Sequence, residues 1–176
     1  MENIEITKVV ESEILQLQTI AKETFYQTFS DSNTEENMRE YLDNGFSIDK
    51  VSAELNNESS AFYFAKLGEK VIGYLKLNVG QSQTEIQDND ALEIERIYVL
   101  NEFHGKKVGQ MLYKKAIDIA KQQHATYVWL GVWEGNPRAI SFYKKNGFVE
   151  FDKHIFKLGK DEQTDIMMKM SLINYT

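Results

Sequence analysis

The chain of 176 residues contains no cysteine. That excludes a thiol nucleophile, a Cys-based zinc site and any disulfide framework, and it suits a reducing compartment such as the cytoplasm. Long apolar runs are missing too. Nothing approaches the ~18 consecutive apolar residues of a membrane span, and the opening Met1-Glu2-Asn3-Ile4-Glu5 is neither basic nor apolar as a leader would be. The chain is therefore expected to be soluble, unprocessed and cytoplasmic, with no membrane partner. A basic surplus is also lacking: 20 Lys and Arg stand against 27 Asp and Glu, a net charge of −7. An acidic chain neutralises phosphates poorly, so no nucleic-acid partner is expected. No repeat, low-complexity stretch or linker divides the sequence. A single domain over residues 1–176 follows, long enough to bury ~70% of the surface its unfolded form exposes.

The charge is unevenly spread. Residues 1–60 hold 13 acids against 4 bases, whereas 61–176 hold 14 acids against 16 bases. Most of this is a solvated surface that confers solubility. The asymmetry also fits a cationic ligand meeting the acidic part and an anionic one meeting the basic part.

Hydrophobic periodicity sets out the elements. Residues 4–10 alternate as a strand, and 11–29 place Ile14, Leu17, Ala21, Phe25 and Phe29 at helical spacing. Short helices are expected over 35–42 and 47–55, the second behind a Ser47 N-cap. They either cover one side of a sheet or wall a cleft. Residues 61–67 and 70–77 read as a hairpin turning at Gly68-Glu69. Residues 80–91, almost devoid of apolar side chains, read as a mobile loop. The strand predicted over 92–100 is unusually charged: period-two alternation puts Glu93 and Glu95 on one face with Ile97 and Val99, and Arg96 on the other. A helix follows over 107–123, then a strand over 127–132. The only proline, Pro137, behind Asn136, marks a sharp helix start, and Asn146-Gly147 marks its end. Two strands, 149–158 and 165–173, joined by a charged loop, complete the chain.

Between the charged strand and the long helix lies His104-Gly105-Lys106-Lys107-Val108-Gly109. Two glycines four apart let backbone approach a ligand closely, and the free N–H groups of a helix's first turn favour an anion such as a pyrophosphate. Lys106 and Lys107 add charge of the right sign. Taken alone, this stretch serves equally well as a tight turn. The second strand–helix unit, ending in Asn136-Pro-Arg-Ala-Ile-Ser-Phe-Tyr-Lys-Lys-Asn-Gly-Phe148, changes the balance.

Together the two units resemble the GCN5-related N-acetyltransferase (GNAT) family. The first is similar to the family's pyrophosphate motif, Gln/Arg-x-x-Gly-x-Gly/Ala, and the second to its Asn-x-x-Ala-x-x-x-Tyr-x-x-x-Gly-Phe signature, met here by Asn136, Ala139, Tyr143, Gly147 and Phe148. The resemblance is clear over about residues 60–155. It implies an α/β fold with a single mixed, mostly antiparallel sheet and helices on both faces. It also implies direct transfer of acetyl from acetyl-CoA to an amine, with no metal. His104 and Lys107 depart from the motif's Gln/Arg and first Gly. A strand glutamate that some members use as base would fall at Gly131, so that base is missing.

Carried over residue by residue, the resemblance makes Tyr143 the acid for the leaving thiolate and leaves Glu93 and Glu95 as candidate bases, Glu93 the better match. Backbone near Ile97, Tyr98 and Val99 is expected to meet the pantetheine arm and the developing oxyanion. His104, Gly105, Lys106, Lys107, Val108, Gly109 and Gln110 are expected at the pyrophosphate, with Asn136 and Lys145 nearer the CoA than the acceptor. Trp129 and Trp133 are expected as core and cleft-wall aromatics. The acceptor is expected to be a small-molecule amine. Glu93-x-Glu95-Arg-Ile-Tyr-Val, His104-Gly-Lys-Lys and Gly131-Val-Trp-Glu-Gly-Asn136 look most like the spermidine/spermine acetyltransferases of the PaiA type. Glu93, Glu95 and Glu134, with Asp31, Glu35 or Glu36, could then line a polyamine's path. A protein N-terminal acetyltransferase and a CoA-binding regulatory module without turnover stand as alternatives, and a homodimer is open.

Overall fold

The structure, a computed structural model, describes residues 3–173. Its seven strands form one sheet: β1 (Ile4–Lys8), β2 (Ser60–Leu67), β3 (Lys70–Val79), β4 (Ala91–Val99), β5 (Tyr127–Trp133), β6 (Val149–Leu158) and β7 (Asp161–Ser171). They lie in the order β1-β2-β3-β4-β5-β7-β6, and the single parallel contact is β4 with β5. Five helices cover it: α1 (Ile14–Phe29), α2 (Glu35–Gly45), α3 (Ile48–Leu55), α4 (Val108–Gln122) and α5 (Pro137–Lys145).

Each face has its own core. On one, the buried stripe of α4 (Val108, Leu112, Ala116, Ala120) meets Ile72, Leu75, Ile94, Val128 and Leu130, with α5 alongside. On the other, Leu17, Ile20, Phe25 and Phe29 of α1 meet Phe62, Phe64 and Tyr74, closed by Met38 and Val51 of α2 and α3. Burying each of these large apolar side chains contributes roughly 1.5–3 kcal/mol, so the two layers fix the helices to opposite faces. Caps then set where helices start. Thr34, Ser47 and Asn136 accept from the backbone N–H groups of Asn37, Lys50 and Ala139, each worth about 1 kcal/mol.

Four expectations change. β1 stops at Lys8, and a one-turn 3-10 segment at Glu11–Glu13 precedes α1, because the Val10 N–H and the Glu13 side chain close a local loop. The 80–90 segment is anchored: Gln83 is buried, its amide donating to the carbonyls of Gly80 and Asp88 and accepting from the Trp129 indole. β7 begins at Asp161, so Gly159-Lys160 forms a two-residue turn in place of the charged loop.

The fourth change concerns β4. Leu77 of β3 faces Ile94, but Lys76 faces Arg96, so Glu95 is an extra residue without a cross-strand partner. This bulge breaks the alternation. Ile97 and Val99 turn to the α4 side, while Glu93, Glu95 and Arg96 share the α1–α3 side. Arg96 does neutralise its neighbour: its Nε lies 3.1 Å from Glu95.

Candidate active site

The pairing of β4 with β5 ends at Ile94 opposite Leu130, although β4 continues to Val99 and β5 to Trp133. Beyond that point the strands part, and a cavity of about 900 Å³ opens between them. Its lining draws on both cores: Ile97, Val99, Val108, Ala139 and Tyr143 from the α4 side, Phe25, Phe29, Tyr41, Phe46 and Phe156 from the α1–α3 side. The cavity thus passes through the sheet. Two substrates entering from opposite faces would meet at the split.

At the α4 mouth the lining combines the basic residues Lys107 and Arg138 with His104 and the glycines Gly105 and Gly109. Gly105 has φ of 79° and Lys107 of 64°, a left-handed pair at the turn into α4, whose first N–H groups have no intrahelical partner. Lys107 is therefore the left-handed N-cap, and the helix starts one residue later than its sequence suggests. Gly109 faces open space: beyond its chain neighbours and its own helix backbone, a Cβ there would meet no atom within 4 Å. His104 Nε2 lies 2.8 Å from the Val99 carbonyl, and its Nδ1 meets the Arg138 guanidinium. Since a carbonyl only accepts and a guanidinium only donates, the ring is the neutral Nε2–H tautomer. Burial keeps its pKa below the ordinary value; the Val99 carbonyl opposes that and Arg138 adds to it. A histidine in the family's Gln/Arg position thus positions an arginine from α5.

Arg138 lines the cavity and was not anticipated. Its signal was there: a cation in the first turn of a helix works against the dipole, so such a residue needs another partner. His104, Gly105, Lys107, Val108, Gly109, Gln110 and Asn136 also line the cavity, but Lys106 and Lys145 do not. Lys106 instead lies over the Phe103 ring, 5.3 Å from its centre, and Lys145 is exposed on the last turn of α5. The arrangement fits a pyrophosphate without requiring either lysine.

Between the mouths stands Tyr143, buried against Phe142 and Phe148. Burial, with Tyr113 nearby, pushes its hydroxyl above the ordinary tyrosine value, so it stays protonated at neutral pH and can donate. Tyr98 is shifted the same way by burial, with Tyr74, Tyr143 and Asp165 adding to it.

At the α1–α3 mouth an aromatic wall forms. Phe25 and Tyr41 stack 4.6 Å apart, and Phe29 packs against Trp133 at 5.2 Å and Phe156 at 5.9 Å. Trp129, by contrast, is buried under the 80–90 segment. Glu93 is buried and saturated: it accepts from the Asn78 amide at 2.9 Å, from the Thr84 N–H at 2.9 Å and from the Thr84 hydroxyl at 2.5 Å. Glu95 is held by Lys76 at 2.9 Å, Arg96 at 3.1 Å and the Asn78 amide at 3.0 Å. Burial opposes its charge, yet Arg96 and Lys76 outweigh that and hold its pKa low. Glu54 completes this network through Arg96 and Lys76. Glu134 sits exposed on the turn after β5, outside the lining, as do Asp31, Glu35 and Glu36. Thr84, Glu85, His154 and Asp165 line it instead, from segments whose convergence no spacing in the sequence reveals.

A family model described as the acetyltransferase (GNAT) family matches residues 14–148, so the chain belongs to that family. It is an acetyl-CoA-dependent N-acetyltransferase, with acetyl-CoA as co-substrate. An uncharacterised N-acetyltransferase of Lactobacillus delbrueckii subsp. lactis is 38% identical, covering 98% of this chain and all of its own. A spermidine N(1)-acetyltransferase of Thermoplasma acidophilum is 27% identical over 83% of this chain and 88% of its own. Among solved structures, the PaiA N-acetyltransferase of the same organism in complex with coenzyme A superposes with a TM-score of 0.79 at 25% identity, covering 96% and 99% of the two chains. Among the described residues no helix is long and apolar enough to cross a membrane, and no group of three or more His, Asp or Glu could hold a metal.

Proposed function

We propose that residues 1–176 act as one cytoplasmic domain that acetylates a polyamine such as spermidine or spermine. The observation that carries this reading is the composition of the α1–α3 mouth. Aromatic rings and carboxylates both line it, Phe29, Tyr41, Trp133 and Phe156 together with Glu85 and Asp165. A polyamine presents both kinds of group, methylene stretches between ammonium groups. The rings offer cation–π and apolar contact, and the carboxylates offer charge. A cavity of about 900 Å³ is at the upper end of small-molecule sites and has room for a thin aliphatic chain beside a pantetheine arm. The similarity to a spermidine acetyltransferase agrees with this reading.

In this assignment acetyl-CoA lies with its pyrophosphate at Gly105–Gln110 and Arg138 and its arm along Ile97–Val99, whose edge facing β5 carries no ladder partner. A backbone N–H there meets the oxyanion. Tyr143 protonates the leaving thiolate. Glu93 and Glu95 act through position and charge, Glu93 by tying the 80–90 segment to β4. An acceptor screen with spermidine, spermine and a short peptide at matched ionic strength tests the polyamine. Polyamine turnover should exceed peptide turnover and fall with salt, since exposed charge pairing is screened within ~8–10 Å. Preference for the peptide would sink the polyamine and leave the acetyltransferase standing.

A further inference from the structure

Among the described residues, the cavity is lined by the carboxylates Glu85, Glu93, Glu95 and Asp165. Three are engaged. Glu85 is bound by His154 Nδ1 at 2.8 Å, Glu93 by Asn78 and Thr84, and Glu95 by Lys76, Arg96 and Asn78. Among the described residues Asp165 has neither a hydrogen-bond nor an ion-pair partner for its carboxylate. It stands at the fifth position of β7, opposite Trp133 of β5, and its side chain leans over the neighbouring Gly131. A Cβ built on Gly131 would lie 3.5 Å from Asp165 Oδ2. The glycine leaves the carboxylate open to the place where β4 and β5 part.

We propose that Asp165 is the general base of the transfer, receiving the acceptor's ammonium group and removing its proton. This rests on acetyl transfer to an amine and holds for any amine. An ammonium nitrogen has no lone pair to attack with, so one N–H proton must leave first; it passes to Asp165. The freed lone pair forms the N–C bond at the thioester carbonyl as the C–S bond breaks. The second N–H proton replaces the one Tyr143 gives to sulfur, and Asp165 then returns its proton to solvent. One ammonium and one thioester become one amide, one thiol and one proton.

The electrostatics support the role. Desolvation raises Asp165 to about 6, with His154 on β6 opposing the rise. Tyr98 on β4 and Tyr41 on α2 also sense its charge, and Glu85 faces it through His154. At pH 7.5 such a carboxylate is ionised yet more basic than an ordinary aspartate, as a base requires.

The test is the pH dependence of kcat/KM for the amine, measured with spermidine and with a short peptide, in wild type, Asp165→Asn and Asp165→Glu. Wild type should lose activity as the pH falls through about 6 with either acceptor. The Asn variant should be slower by about 10²-fold at pH 7.5 and should show a rate that climbs steadily toward the amine's own pKa, since only pre-deprotonated amine then reacts. The Glu variant should restore the limb, and acetyl-CoA affinity should stay within about twofold in both variants, as an intact fold demands. An Asn variant within threefold of wild type, or one that keeps the limb near pH 6, overturns the assignment. The ratio of spermidine to peptide rates reports separately on the polyamine.

Discussion

At the α4 mouth the lining groups come mainly from one short stretch, 104–110, where the first N–H groups of α4 have no intrahelical partner. At the α1–α3 mouth they are side chains drawn from α1, α2, the 80–90 segment, β5, β6 and β7. The two constructions have different tolerances. Backbone donors are indifferent to the side chain they belong to, so His104 and Lys107 can replace the usual residues of the motif while the turn keeps its shape. A wall of side chains has no such latitude, and changing one residue changes what fits. On the proposed assignment the α4 mouth tolerates changes of side chain, and the α1–α3 mouth is where such a change alters what fits.

The largest effect should come where the two meet. Tyr143→Phe keeps the ring packing against Phe142 and Phe148 and removes only the hydroxyl. Turnover should fall by about 10²-fold or more, while acetyl-CoA affinity and amine KM change by less than about threefold. Steady-state kinetics with thiol detection decides it. Near-normal turnover would remove Tyr143 as the acid and leave the thiolate to depart unaided.

The same contrast explains what could be read from the sequence. The turn at 104–109 was legible because its residues are contiguous and their spacing encodes it, whereas Arg138 reaches the same mouth from α5. Most strands and helices were legible from periodicity, whereas their arrangement as one sheet with helices on both faces came from the family resemblance. The bulge at Glu95 was not legible, since one extra residue in a strand leaves no mark in the pattern, yet it moved Arg96 onto the face of the two glutamates. Glu93 and Glu95 stand out as charges in a strand, but only the positions of Lys76, Asn78 and Thr84 reveal that both are occupied. Asp165 looked like the edge of a charged loop. It becomes part of the site through the β5–β7 register, which places it beside Gly131 from 34 residues further along the chain.

A smaller effect should sharpen the separation of the mouths. Gly109→Val adds a branched side chain where nothing in the protein opposes it, and valine is no poorer a helix former than glycine. The fold should hold. The acetyl-CoA KM should rise about tenfold, because the side chain occupies the approach to the α4 N–H groups, and the amine KM should stay within about twofold. Equal effects on both constants would mean that the two substrates share this mouth.

The smallest effect concerns Lys107, and its two consequences have opposite signs. A non-glycine residue at φ of 64° is strained, and the left-handed conformation costs an L-residue about 1–2 kcal/mol. Glycine removes that strain but loses about 0.5–1 kcal/mol through the greater freedom of the unfolded chain. Lys107→Gly should therefore stabilise the fold by about 0.5 kcal/mol, a rise of about 1–2 °C in Tm for a chain of this size. Loss of the ammonium removes an attraction for the pyrophosphate worth at most about 1 kcal/mol at this exposure, so the acetyl-CoA KM should rise by less than about fivefold. Added salt should shrink that difference, because it screens the wild-type contact and the variant has none to screen. Calorimetry and kinetics on one preparation read both signs. A variant that melts lower than wild type would show that Lys107 is held by contacts that outweigh its backbone strain, and that the turn depends on its side chain after all.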